Sequence, residues 1–219
     1  MPSKSSGRKQ ASSKQSAAVR HRERTEQTRS RLLTAGRTIF ARDGFEGAKL
    51  EEIASEAGYT RGALYANFES KEDLFIAMLE ENIQERISYA RKLLAKQHDV
   101  KKRIEAFRQL FMEKARERSW ALLWLEFKLF ALRHPEFKAK LSEMRERVSL
   151  SSSEMLEEFF GETSGVKFPV RSCVLGMALG ALAHGLQLDH MLDKSIREEE
   201  IETVVTLFLD AMLPLPKLR

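Results

Sequence analysis

The sequence predicts an all-α fold of about nine helices, a small N-terminal three-helix domain followed by a larger C-terminal helical one. Three observations predict it. Apolar residues recur at helical spacing along most of the 219 residues. No stretch shows the two-residue period of a strand, and no internal repeat appears. Residues 50–71, LEEIASEAGYTRGALYANFESK, spell out two short helices and the turn between them. We divide the chain into a tail, 1–24, an N-terminal domain, 25–86, with its helix-turn-helix at 49–68, and a C-terminal domain, 87–219.

The tail is rich in Ser, Lys and Arg and nearly free of large apolar side chains, so disorder is expected there. It holds seven basic residues (Lys4, Arg8, Lys9, Lys14, Arg20, Arg22, Arg24) against one acid, Glu23. The formal net charge of +5 therefore belongs to the tail, and the rest of the chain is close to neutral. Such a tail either solubilises the protein or is an arm that lies along nucleic-acid phosphates or enters the minor groove. It has no apolar core of a secretory signal. No apolar run reaches the roughly 18 residues that a membrane span needs. A single cysteine, Cys173, excludes an internal disulfide and suits a reducing compartment. The expectation is a soluble cytoplasmic protein with no membrane partner.

The first helix is expected over about 26–43, with Leu32, Ala35, Gly36, Ile39 and Phe40 inward, Thr25 or Thr28 as cap and Gly44 as stop. In the second, Leu50, Ile53, Ala54 and Ala57 form one apolar face and Gly58 suits a left-handed helix end. Ala48 and Lys49 stand where a capping hydroxyl would be expected. Thr60 is the N-cap of the third helix, with Tyr59 and Leu64 at staple spacing. Leu64 and Phe68 face inward, which leaves Arg61, Gly62, Ala63, Tyr65 and Asn67 outward. A short helix with one buried face and one hydrogen-bonding face fits a DNA major groove. Ser70 and Asp73 open a fourth helix that runs to about Lys96 and joins the two domains.

In the C-terminal half, Ile104, Phe107 and Phe111 mark a fifth helix. Ser119 caps a sixth, WALLWLEFKLFALR, expected to be buried because it is apolar nearly all round. His134-Pro135 ends it. A seventh carries Phe137 to Phe159 and closes around Gly165 and Pro169. The eighth, 170–192, is rich in small residues. Ser195 and Glu198 cap the ninth, which carries Val204, Val205, Phe208 and Met212 and stops at Pro214.

Residues 28–78 resemble the DNA-binding domain of TetR-type (AcrR-type) bacterial transcriptional repressors. The matching pieces are IF-x3-GF at 39–45, IA-x2-AGYT at 53–60, ALY-x2-F at 63–68 and SKEDLF at 70–75. Beyond 78 the likeness lies in layout, not in motifs. The resemblance implies a homodimeric regulator that occupies a pseudo-palindromic double-stranded DNA operator, represses, and is released by a small-molecule effector bound in the C-terminal domain.

The candidate DNA-contacting residues are Lys49, Thr60, Arg61, Gly62, Ala63, Tyr65, Asn67 and Lys71. Arg61 has the donor geometry for guanine O6 and N7, and Tyr65 offers a hydroxyl and a ring. Outside the motif a solvated helix face would explain both. Gly62 permits close backbone approach. Asn67 replaces the family's usual histidine. Lys71 at a helix N-terminus suits a phosphate. Trp120, Trp124, Glu126, Phe127 and Phe130 are the candidates for a ligand pocket, with core packing as the plainer role. Gly176, Gly180, Ala183, Val205 and Phe208 are expected at the dimer interface. The five histidines have no metal spacing, and there is no HExxH or CxxC. No metal or cofactor is expected, and no nucleophile–base pair that would make the chain an enzyme is visible.

Overall fold

The computed structural model describes residues 6–115, 117–161 and 170–212. The loop expected around Gly165 and Pro169 and the stop expected at Pro214 lie outside the described residues. Among the described residues there are nine helices and no strand: α1 (Ser6–Gly47), α2 (Leu50–Glu56), α3 (Arg61–Tyr65), α4 (Lys71–Leu94), α5 (Val100–Ala115), α6 (Arg118–Arg133), α7 (Pro135–Phe160), α8 (Ser172–Leu192) and α9 (Glu198–Met212). The fold is all-α, as the periodicity predicts. The chain forms two units, Met1–Met78 and Leu79–Arg219. The division falls inside α4, ahead of the boundary expected at 86/87. Leu79, Ile83 and Arg86 already line a cavity of the C-terminal unit, which is why they belong to it.

In the N-terminal unit α1 begins at Ser6, where disorder was expected through Arg24. Residues 6–24 lack proline and contain many Ala, Gln, Lys and Arg, all good helix formers. Extending a helix already nucleated further along costs far less than starting one. Thr25 and Thr28 are consequently not caps. Their hydroxyls donate to His21 O and Arg24 O one turn back, at 3.1 and 2.8 Å. Gly44 breaks the helix as expected, with φ 72° and ψ 177°. The break brings Phe45 back beside Phe40 and against Phe75 of α4. Phe75 meets the two rings edge-on, at centroid distances of 4.8 Å from Phe40 and 5.0 Å from Phe45. These three rings, with Leu32, Ile39, Ile53, Leu64 and Leu74, are the core of the unit.

The C-terminal unit packs α5, α7, α8 and α9 around Phe107, Phe160, Leu175, Leu179, Val205 and Leu209. The α6–α7 junction falls at His134, with Pro135 in the first turn of α7. Two caps differ from expectation. Glu117, not Ser119, precedes α6. At α9, Glu200 Oε2 accepts from the Arg197 backbone N–H at 3.0 Å, so the cap is Arg197 and not Ser195. The Ser195 N–H bonds instead to Asp193 Oδ1 at 2.8 Å. Nor is α6 buried all round. Ala121, Leu123, Phe127 and Ala131 face inward, while Leu122, Leu125, Leu129 and Leu132 lie on the opposite side and are exposed, Leu132 to 72 %. Composition alone hides this asymmetry, because both faces are apolar. Among the described residues no helix is long and apolar enough to cross a membrane.

Candidate nucleic-acid interface and C-terminal cavity

The turn between α2 and α3 is built by backbone bonds that the sequence specifies. Gly58 has φ +75°. Its N–H bonds to Ser55 O at 3.0 Å, and Tyr59 N–H reaches Ala54 O at 2.8 Å, the paired bonds of a Schellman helix end. Two residues later Thr60 Oγ1 accepts from Ala63 N at 3.2 Å and starts α3. Lys49 precedes α2 without a side-chain cap, and Glu51 and Glu52 in the first turn complement the helix dipole instead. Arg42 ties α1 to α2 through Glu52 at 2.5 Å. Arg29 ties α1 to the end of α3, donating to Asn67 O at 3.4 Å and lying 4.5 Å from the Phe68 ring. With Leu64 buried, α3 turns Arg61, Gly62 and Tyr65 to solvent, and Ala63 is half-buried.

Arg61 is held on this face. Its guanidinium pairs with Glu51 at 2.9 Å and reaches the Tyr65 hydroxyl at 3.4 Å. The Tyr65 hydroxyl first, then the Glu51 charge, hold the guanidinium pKa above its ordinary value. A β-carbon at Gly62 would meet only Thr60 Oγ1, at 3.8 Å, so the protein itself leaves room for a side chain there.

Two predicted contacts make hydrogen bonds within the domain. The Asn67 amide donates to Ala63 O at 2.8 Å and is half-buried at the end of α3. Lys71 Nζ donates to Glu46 O at 3.0 Å and Ala48 O at 3.4 Å, 4.9 Å from the Phe45 ring. The carbonyls freed where α1 ends draw the ammonium in. Both residues thus also hold the domain together. Lys49 and Thr60 are exposed, with Thr60 committed as a cap.

In the C-terminal unit α4 to α8 line a half-open cavity of about 670 Å³. Trp120 and Trp124 line it, as predicted. Glu126, Phe127 and Phe130 do not. Phe127 is fully buried in the core, Glu126 is exposed, and Phe130 stacks on His134 at 4.2 Å. The face of α6 toward the cavity runs 120, 124, 128, one residue per turn. The third residue of that series is Lys128, which sequence reasoning missed although the spacing points to it. Arg86 from α4, Arg145 from α7 and His184 from α8 also belong to the polar lining. Their positions depend on how four helices pack, and no local pattern carries that.

The residues predicted for a dimer interface are also redistributed. Gly176, Gly180 and Ala183 line the cavity, and a β-carbon at either glycine would meet nothing within 4 Å. Val205 is fully buried in the protomer and Phe208 packs against the same core. The faces of α8 and α9 open to solvent carry Met177, Ala181 and Gly185, and Val204, Leu207 and Ala211. A one-residue step on a helix turns a side chain by about 100°, so Val204 is outside and Val205 inside.

Comparison with known proteins supports the N-terminal reading. The pattern described as "Bacterial regulatory proteins, tetR family" matches residues 32–78. Over 88 residues the chain is 31% identical to the HTH-type transcriptional activator FasR of Mycolicibacterium smegmatis, covering 40% of each protein. It is 28% identical over 170 residues to the HTH-type transcriptional repressor NicS of Pseudomonas putida, covering 77% of this chain and 72% of that one. The match thus spans two fifths of the length of FasR and most of that of NicS. The fold is also that of reduced E. coli NemR, with a TM-score of 0.63 at 22% identity over 86% of this chain and 99% of that one. By this match and by the geometry of α1 to α4, residues 32–78 carry the pattern of the tetR family of bacterial regulatory proteins.

Proposed function

We propose that the protein is a sequence-specific transcriptional regulator that binds a pseudo-palindromic DNA operator as a homodimer in the bacterial cytoplasm. It represses there until a small molecule enters the C-terminal cavity. The observation that carries this reading is the exposed face of α3, where Arg61, Gly62 and Tyr65 project from a helix anchored by Leu64 and capped by Thr60. Arg61 recognises a base edge and Tyr65 supports it. Lys49, also exposed, is a cation for a phosphate.

Regulation follows from geometry. Two α3 helices reach successive major grooves only when about 34–36 Å apart. The chain passes from one unit to the other inside α4. A ligand that binds better to the arrangement with the wrong spacing lowers DNA affinity by that difference in binding. The 670 Å³ cavity falls within the range of about 300–1,000 Å³ usual for small-molecule sites. FasR is described as an activator. Where the operator lies relative to the promoter would decide between the two outcomes.

The test is selection from a random double-stranded DNA library by the full chain. The enriched sequence should contain two inverted half-sites with centres about 10–10.5 base pairs, or a multiple of that, apart. Enrichment of single half-sites, or of direct repeats, would contradict a two-fold reader.

A further inference from the structure

The cavity shows an imbalance of charge. Its wall is largely apolar, with Leu79, Ile83, Phe107 and Met155 beside the two tryptophans. Into it come three cations from three helices, Arg86, Lys128 and Arg145, against one carboxylate, Glu146. Arg86 is neutralised by Glu117 at 2.5 Å. Among the described residues Lys128 and Arg145 have no such partner. Lys128 Nζ lies 5.0 Å from the Trp124 ring, and Arg145 donates to the sulfur of Met177 at 3.5 Å.

Burial first and the Arg145 charge second hold the Lys128 ammonium pKa below its ordinary value. A half-buried cation that faces another and has no carboxylate is costly, and an anion in the cavity would relieve it. His184 adds a neutral contact. Its buried Nδ1 has no hydrogen-bond partner. Burial, then Lys128, then Arg86 hold its pKa down at about 4, so the ring stays uncharged at neutral pH. A neutral imidazole beside an ammonium can complete the hydrogen bonding of an acid group.

We propose that the cavity takes an organic anion, with its acid group among Lys128, Arg145 and His184 and its apolar body against Trp120, Trp124 and Phe107. This rests on the reading of the cavity as the effector site. It adds the chemical class that the cavity selects.

The two tryptophans of the chain both line the cavity, so their fluorescence reports occupancy directly. The full chain is titrated, below micelle concentrations, with decanoate, 1-decanol and decylamine, and with 2-naphthoate as an aromatic acid. Decanoate or 2-naphthoate should quench with a dissociation constant at least ten-fold below that of decanol, and decylamine should bind more weakly than decanol. The tighter of the two acids distinguishes a chain from a ring as the natural body. Lys128→Met and Arg145→Met should each weaken acid binding about ten-fold and leave decanol unaffected, while Lys128→Arg keeps the preference for acids. Circular dichroism of each variant establishes that it is folded. Binding of decanol or decylamine as tight as that of the acids, or a folded Lys128→Met variant that still prefers acids, would overturn the anion assignment and leave the effector-site reading standing. No response to any of the four would overturn both.

Discussion

At the start of α3 the Arg61 guanidinium is already fixed by Glu51 at 2.9 Å and by the Tyr65 hydroxyl. The pair is exposed, so breaking it costs little. Restricting a long side chain beforehand lowers the entropy lost on meeting a base. Glu51 therefore orients Arg61 and would compete only weakly with a base in the proposed complex. In the C-terminal unit the residue-scale prediction concerns His184. Its folded pKa, about 4, lies below the 6.5 of a free histidine because burial and the facing charges of Lys128 and Arg86 disfavour the imidazolium. The unfolded chain then binds more protons, so this contribution to stability is full above pH 6.5 and is lost as pH falls toward 4. Its size is at most about 3 kcal/mol. Urea unfolding at pH 7 and pH 5 should show a smaller stability difference for His184→Gln than for the unsubstituted chain. An equal difference would mean that the imidazole is not buried as described.

At the scale of elements, α9 shows what separates a core face from a free one. Ile201, Val205 and Leu209, four apart, are buried, with Val205 fully so, while Leu207 is 65 % exposed. Val205→Glu should therefore unfold the protomer, since it buries an unpaired charge. Leu207→Glu should leave far-ultraviolet circular dichroism intact and shift sedimentation from dimer to monomer. A folded Leu207→Glu chain that stays dimeric at micromolar concentration would remove α9 from the interface. The sequence could not draw this distinction, because α9 is apolar on both its buried and its exposed side. The same holds for α6, whose leucines were expected inside. Where a signal is local it is readable. Gly58 and Thr60 set the α2–α3 turn, Gly44 breaks α1, and Pro135 opens α7, each through its own backbone or hydroxyl. The internal bonds of Lys71 and Asn67 went unread because their partners, on Glu46, Ala48 and Ala63, are backbone carbonyls, which no side-chain pattern reveals.

At the scale of the molecule, the nine helices among the described residues divide into a unit whose exposed chemistry suits DNA and a unit whose cavity chemistry suits a small molecule. The order and type of the helices were legible throughout, because amphipathic periodicity is a property of each segment alone. The cavity was legible only in its two tryptophans; its charges come from α4, α6 and α7 and meet only in the folded unit. The central claim, that α3 reads base sequence through Arg61, is tested most directly by the affinity of the full chain and of Arg61→Ala for the selected operator and for scrambled DNA of equal length. A loss of ~1–3 kcal/mol on the operator, with relaxed preference at one base pair in each half-site and little change on scrambled DNA, is the predicted result. An equal loss on both DNAs, or no loss on either, would contradict it.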